Sequence, residues 1–378
     1  MSDDSHHGGV PRAGEPQSAS AAPDASMRLG RRYLTLVVGG VSLVALTCLT
    51  FLLPSPYVTM RPGVAFDTFG EISGEPMFTF GDDVKTYPVD GALDFTTVSV
   101  SRSSTRLSLG DVARAYFTDD VSVVPRDIVY PEGQDDAKSQ SVGQAQLTSS
   151  KDASRVVALR AAGYDVGEQP VVAQVVDGGA AQGVLEPDDE VLAVDGEATD
   201  SSQAVVDAVG AVEPGDVVTM RILRDGKEQD VELTTKADPD DPSVPRVGIS
   251  VATSYDFPIE VTNHVGDQVG GSSAGTMFAL AIYDRLTPGS LTGGREIAGT
   301  GTLSPDGTVG EIGGIRQKIA GAADSGAEIF LVPDANCAEA LQGDDHGLTL
   351  VRIATFDEAV SDLKALADDA DAKVRSCQ

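Results

Sequence analysis

Apolar and polar positions divide the chain into three stretches. A polar lead comes first, then one long uncharged run, then a long region of short alternating or amphipathic segments. The run Tyr33–Leu53 has 21 residues and no charge. At about 1.5 Å per residue it spans about 30 Å, the thickness of a bilayer core, so a transmembrane helix is predicted over 33–53. A cleavable signal peptide would have a shorter apolar region and a small-residue cleavage site. This run closes on Leu52-Leu53-Pro54-Ser55-Pro56 instead. Residues 1–32 are rich in Ser, Ala, Gly and Pro without apolar periodicity and read as a disordered tail. Arg28, Arg31 and Arg32 precede the run, which places the tail in the cytoplasm and everything after residue 53 outside.

Beyond the span, residues 54–150 are β-rich, with strand patterns at Phe78–Phe80 and Thr96–Val100 and a weak helical stretch near Asp111–Tyr116. No independent fold is assigned to them, and the polar run Gly133–Lys151 is read as a mobile connection. Residues 151–236 read as a compact α/β unit. Helices are predicted at Ser154–Ala162 and Ser202–Val212, the second with apolar residues at 205, 206, 209 and 212 and a Ser at its start. Strands are predicted at Val171–Val176 and Val191–Val194, and as a hairpin of Val217–Leu223 and Gln229–Leu233 turning through Asp225-Gly226. The Asp/Pro-rich stretch 237–245 reads as a linker, 246–367 as a final domain and 368–378 as a tail. The expected class is α+β.

Charge changes the picture. The formal net charge is −31, and residues 1–53 hold four acids and four bases, so the whole excess lies beyond the span. A nucleic-acid-binding face is excluded, because phosphates would be repelled. Aromatics are 5% with no Trp, which argues against a stacking platform for sugars or bases. Three cysteines make neither a disulfide scaffold nor a zinc module, and no metal site is expected. Cys337 and Cys377 lie in the exported part, where they can pair or stay as free thiols. No G-x-x-x-x-G-K-[ST] loop occurs, since the one Gly-Lys, Gly226-Lys227, is followed by Glu228.

The candidate chemistry sits at Gly270-Gly271-Ser272-Ser273-Ala274-Gly275, ahead of a strongly apolar helix at Ala274–Leu286. A serine there either caps the helix or is a nucleophile beside unpaired N–H groups that suit an oxyanion; Gly271, Ser272, Ala274 and Gly275 are the backbone candidates for that role. A serine nucleophile needs a base. The four histidines are His6 and His7 in the tail, His264 and His346. The other candidate is Lys318, in the first turns of a helix opened by Gly313-Gly314, where the dipole and burial both disfavour an ammonium charge.

Gly-x-Ser-Ala-Gly at 271–275, Ala298-Gly299-Thr300-Gly301 and Gly313-Gly314-Ile315-Arg316-Gln317-Lys318 follow one another in one order. Together they resemble the proteolytic domain of Lon proteases, serine peptidases with a Ser–Lys dyad. The resemblance implies Ser273 as nucleophile, Lys318 as base and Thr300 as the threonine that supports the lysine. Two departures are the Gly-Gly-Ser before Ser273, where the family commonly has Asp-Gly-Pro, and Thr302, where it has an acid. The segment from Val171 to Thr199 resembles a PDZ domain, with Pro187-Asp188-Asp189 in place of the usual Pro-Gly-Asp. That resemblance implies binding of extended peptides or C-termini by strand addition, with a carboxylate-binding loop near Gly163–Pro170. The order of anchor, PDZ unit and Lon-like domain resembles bacterial membrane-anchored PDZ-containing Lon-like proteases. It implies a cell-membrane endopeptidase without cofactor that acts on exported or membrane-associated polypeptides, with a homo-oligomeric ring by analogy; the missing P-loop adds the expectation that it works without ATP. Two alternatives stand beside it. One is a non-catalytic PDZ adaptor at the cell surface. The other is an α/β-hydrolase-type esterase using His346, since residues 271–275 also fit G-x-S-x-G.

Overall fold

The computed structural model describes residues 25–377 apart from Ser73, residues 132–135 and residues 267–268. The predicted tail therefore lies outside the described residues up to residue 24. Helix α1 (Ala25–Leu52) takes in the last eight residues of the predicted tail. Its segment Gly30–Leu52 is long and apolar enough to cross a membrane, and none of the other described residues buries it.

After α1 the chain enters strand β1 (Tyr57–Asp67), which pairs antiparallel with β2 (Ala92–Val100). A bulge between Pro62 and Ala65 bends β1, and Gly63 is required there because a Cβ would lie 2.4 Å from Thr97 Oγ1. Helix α2 (Leu109–Tyr116) follows, capped by Ser108. Strand β3 (Ser122–Pro125) then closes on the other side of β1. Residues 133–135 of the expected mobile connection lie outside the described residues; from Asp136 on it is helix α3 (Asp136–Ala161). Its buried face includes Ser150, Ala153 and Ser154 beside Leu147, Val156 and Val157. Small and hydroxylated residues on that face hide the helical period from a hydrophobicity reading.

The next strands build a separate sheet. Strands β4 (Gly167–Val175) and β5 (Glu190–Val194) precede helix α4 (Ser202–Gly210). The hairpin β6 (Val217–Arg224) and β7 (Lys227–Thr234) follows. The stretch 237–245, expected as a linker, is instead fastened. Lys236 and Ala237 pair with Arg246 and Pro245, and Asp238 is buried with its carboxylate on Arg246. This return lays β8 (Ile249–Asp256) against β4, giving the order β7-β6-β5-β4-β8. The expected boundary at 245/246 thus falls inside the sheet. Val172, Val191, Val205, Val218, Met220 and Ile222 form its core under α4.

The rest of the chain returns to the first sheet. Helix α5 (Gly275–Leu286), β9 (Glu296–Gly299), α6 (Ile315–Ser325), β10 (Ile329–Pro333), β11 (Thr349–Ile353) and α7 (Phe356–Asp368) come in turn. The sheet order is β11-β10-β9-β2-β1-β3, with β2, β9, β10 and β11 mutually parallel. Alternation sorts its two faces. Ile297, Ile329, Leu331 and Val351 pack with α3, α5 and α7, whereas Ala298, Phe330 and Val332 pack with α6. The unassigned segment 54–150 therefore supplies three strands and a core helix of this body, and the β4–β8 sheet is inserted between them and α5. The tail at 368–378 is also held. Ser376 bridges Val351, Arg375 pairs with Glu358 and Asp362, and Cys377 is disulfide-bonded to Cys337.

Candidate active site

The loop before α5 is shaped by two glycines. Gly271 has φ +93°, and its N–H donates to Gly143 O of α3 at 2.8 Å. A Cβ at Gly275 would lie 2.7 Å from Ser150 Oγ, so the helix start sits directly on α3. Ser150 Oγ also donates to Ser272 O at 3.2 Å. Ala274 occupies the N-cap position and no side chain caps α5, so Ser273 does not act as a cap. The amides of Ser273 and Ala274 make no hydrogen bond among the described residues.

Lys318 comes from the opposite face of the sheet. Gly314 starts α6 at φ +72°, and a Cβ there would meet Met60 Sδ at 2.6 Å. This close approach lets the first turn of α6 sit against β1 and β2 and sends Lys318 into the interior. Lys318 is 2% exposed. Burial pushes its amine down from 10.5 to about 7, with no acid beside it to hold the charge.

The lysine has three partners. Its Nζ lies 2.8 Å from Ser273 Oγ, 3.0 Å from Thr300 Oγ1 and 3.0 Å from the carbonyl oxygen of Thr96. Thr300 Oγ1 donates its own hydrogen to Ser273 O at 3.0 Å, so toward the lysine it accepts. A neutral amine has two N–H groups and one lone pair. Thr300 and Thr96 take the two hydrogens, which leaves the lone pair for the hydroxyl of Ser273. Gly301 N–H also donates to Ser273 O at 2.8 Å and fixes the backbone on which the hydroxyl is carried.

Ser273, Lys318 and Thr300 are thus brought together, with Gly271, Ser272, Ala274 and Gly275 in the adjoining loop. The amides of Gly271 and Gly275 are used internally, the latter on Ser272 O at 3.3 Å. The Thr96 carbonyl was not anticipated in the site. Its signal was only the Thr/Val-rich strand pattern at 96–100, which shows a strand and not its partner. A cavity of about 270 Å³ opens over Ser273 between Val64, Phe66, Val98 and Val269. His346 is not part of this arrangement, because its Nε2 lies 3.2 Å from Asp120 Oδ1. His264 sits between Thr79 and Glu75. Among the described residues no group of His, Cys, Asp and Glu could hold a metal ion. Cys337 and Cys377 are bonded, with Cα atoms 5.1 Å apart.

A second concavity, of about 550 Å³, lies between α4 and β8. Val205, Val206 and Val209 line one wall and Val247, Ile249 and Val251 the other. The expected carboxylate-binding loop at 163–170 is not beside it. Residues 167–170 of that stretch are not a loop but the start of β4, paired with β8, and β4 also pairs with β5 on its other side, so it has no free edge. The sheet ends in β7 on one side and β8 on the other; β8 is the edge beside this concavity, and the loop that leads into it is Arg246-Val247-Gly248, with Gly248 at φ +78°.

Comparison with known proteins gives two family matches. Residues 143–235 match the PDZ domain family, and residues 259–360 match the Lon protease (S16) C-terminal proteolytic domain. Lon protease 2 of Bacillus subtilis is 30% identical over 108 residues, which are 29% of this chain and 19% of that protein. A probable periplasmic serine endoprotease DegP-like of Halomonas elongata is 42% identical over 64 residues, 17% of this chain and 14% of that protein. The chain therefore spans less than a fifth of either curated relative. The PDZ domain of an SdrC-like protein from Listeria monocytogenes is 27% identical, covering 22% of this chain and 87% of that one, at a TM-score of 0.21. The chain carries a PDZ domain and, after it, a proteolytic domain of the Lon serine-peptidase type, and so fits a PDZ-containing Lon-like protease.

Proposed function

We infer that this protein is an ATP-independent serine endopeptidase, held by α1 in the cell membrane with its catalytic body outside, that cleaves exported or membrane-associated polypeptides. The observation that carries the reading is the 2.8 Å approach of Lys318 Nζ to Ser273 Oγ with a buried amine lowered to about 7. A neutral amine removes the hydroxyl proton as Ser273 Oγ attacks a peptide carbonyl. The free amides of Ser273 and Ala274 stabilise the oxyanion. The ammonium of Lys318 then gives its proton to the departing amine, and water, deprotonated by the same lysine, hydrolyses the acyl-enzyme. Thr300 and Thr96 hold the amine oriented through both steps.

The groove between α4 and β8 supports a role for the PDZ domain in recruiting or gating substrate. An extended peptide pairing with the free edge of β8 would set alternate side chains against Val206 and Ile249, with a terminal carboxylate at residues 246–248. Export is supported by α1 and by the Cys337–Cys377 bond, since disulfides persist in oxidising compartments. Absence of a P-loop in the sequence supports independence from ATP.

The test uses the purified full chain, a serine-reactive probe and a quenched fluorescent polypeptide, without ATP. Wild type should be labelled and should cleave, and Ser273→Ala should do neither. Cleavage that survives in Ser273→Ala or in Lys318→Ala would overturn the dyad. A wild-type protein that binds peptides but neither labels nor cleaves would make it an adaptor.

A further inference from the structure

We propose that α2 and the helical turn Arg126–Val129 form a face that docks on the lipid headgroup interface and fixes the catalytic body against the bilayer; this rests on the reading of α1 as a membrane span. The last turn of α1 and the start of α2 are fastened to each other. Leu109 N–H donates to Leu53 O at 3.2 Å and Ser55 N–H to Leu107 O at 2.8 Å. Pro54 and Ser108 form a bridge, and a Cβ at Gly110 would lie 2.1 Å from Phe51 Cδ1. Helix α2 therefore begins at the level where the apolar run ends. Arg126 N–H donates to Pro56 O at 2.9 Å, which brings the second helical turn to the same end of the body.

The side chains at this level are out of place in water. Leu109, Val112, Ala113 and Tyr116 recur at i, i+3, i+4 and i+7, while the residue of α2 that is buried is Ala115, off that stripe. Among the described residues outside α1, the three most exposed large apolar side chains are Phe117 (84%), Tyr116 (76%) and Ile128 (70%). Aromatic rings with one apolar and one polar end collect where a bilayer meets water. Charge does not oppose this. Over residues 101–129 Arg102, Arg106, Arg114 and Arg126 are matched by Asp111, Asp119, Asp120 and Asp127, so the stretch is neutral in a chain of net charge −31. The exposed apolar side chains, rather than charge, therefore carry the attraction to the interface. The helix also needs no lipid to form. Ser108 Oγ accepts from Asp111 N–H and Asp111 Oδ2 accepts from Ser108 N–H, a complete capping box.

The chain has no Trp, so a Phe117→Trp substitution gives a single fluorophore on this face. The full chain is placed in nanodiscs of phosphatidylglycerol and phosphatidylethanolamine, with lipids left unbrominated, brominated near the headgroup for Phe117→Trp, or brominated near the acyl-chain end for Leu43→Trp. Leu43→Trp, in α1, reports the span, and Val217→Trp, exposed on the PDZ sheet, reports water. The Phe117→Trp emission should lie at shorter wavelength than that of Val217→Trp and fall by about twofold with brominated lipid. Quenching of Leu43→Trp without quenching of Phe117→Trp would overturn the docking face and leave the anchor intact. Quenching of neither would remove the anchor and this inference with it. A blue-shifted but unquenched Phe117→Trp would show a protein surface covering the face, a second copy included, and would also overturn it.

Discussion

Lys318 Nζ and the carbonyl oxygen of Thr96 are 3.0 Å apart, although 222 positions separate them in the chain. A carbonyl accepts but cannot ionise, so the site holds the amine in place without a counter-charge that would keep it protonated. The base is therefore pre-set by burial. Strand β2 brings the acceptor and α6 the amine, and neither is in the segment that resembles the nucleophile loop.

The first prediction is the pH dependence of that burial. Activity should rise through about pH 7, where the Lys318 amine loses its proton. A rise centred near pH 10 would refute the lowered amine. Stability follows by linkage. Between about pH 7 and 10.5 the unfolded chain binds a proton at this position that the folded chain does not. The wild type should therefore gain stability with rising pH, relative to Lys318→Met, by up to about 1.4 kcal/mol per pH unit. Below pH 7 both states are protonated, so the difference becomes flat and the folded state carries an uncompensated ammonium. Denaturant midpoints of the two proteins across pH 6 to 10 check both slopes.

Thr300 is predicted to matter through its hydroxyl alone. Thr300→Val keeps the shape but leaves one lysine hydrogen without an acceptor and removes a donor from Ser273 O. A lost buried hydrogen bond of this kind costs about 1–3 kcal/mol, which corresponds to roughly 5- to 150-fold in kcat/KM. Thr300→Ser restores the hydroxyl and should recover most of the rate. Equal activity of the Val variant and the wild type would remove Thr300 from the site.

The disulfide closes a loop of 40 residues around β11 and α7. Constraint of the unfolded chain over such a loop is worth about 4 kcal/mol. The double substitution Cys337→Ser with Cys377→Ser should lower the urea midpoint accordingly, and a reducing agent should do the same to the wild type but not to the variant. An unchanged midpoint would mean that the tail contributes nothing to the cooperative unit.

The site was legible in the sequence because its chemistry is local. Ser273 sits in a Gly-bounded loop before an apolar helix, and Lys318 follows a Gly-Gly start, so each announces itself within six residues. The architecture was less legible because it is long-range. Strands β1 and β2 look like any short strands until β9 pairs with β2 from beyond the PDZ insertion. Helix α3 is polar over its first half, where Leu147 is the one buried residue, and in its second half it buries Ser150 and Ser154 among the apolar positions, which blurs the stripe. The Asp/Pro run at 237–245 has the composition of a linker, but Asp238 accepts from the amides of Asp240 and Asp241 and binds Arg246, which turns it into a fixed return. Burial of polar groups by specific partners is what a composition reading does not register.

The last prediction concerns the residue that departs from the PDZ pattern. Asp188 stands where a glycine is usual, and it has φ +72°. For a residue with a Cβ this left-handed conformation is unfavourable by about 1 kcal/mol, with Asp among the residues that tolerate it best. The neighbouring Asp189 explains why the turn persists. Its carboxylate is buried, accepts from Glu186 N–H at 2.8 Å and takes two bonds from the Arg224 guanidinium, at 2.5 and 2.6 Å. The loop is thus held from Asp189, and the backbone of Asp188 follows. Asp188→Gly should relieve the strain while adding some freedom to the unfolded chain, for a net gain of roughly 0.5 kcal/mol. Asp189→Asn should lose roughly 2–4 kcal/mol, because Arg224 loses a charge partner in a half-buried site. Thermal unfolding of the full chain, followed by a probe on the PDZ sheet such as the Val217→Trp fluorophore, separates these outcomes. A stabilised Asp189→Asn variant would show that the ion pair does not hold the turn.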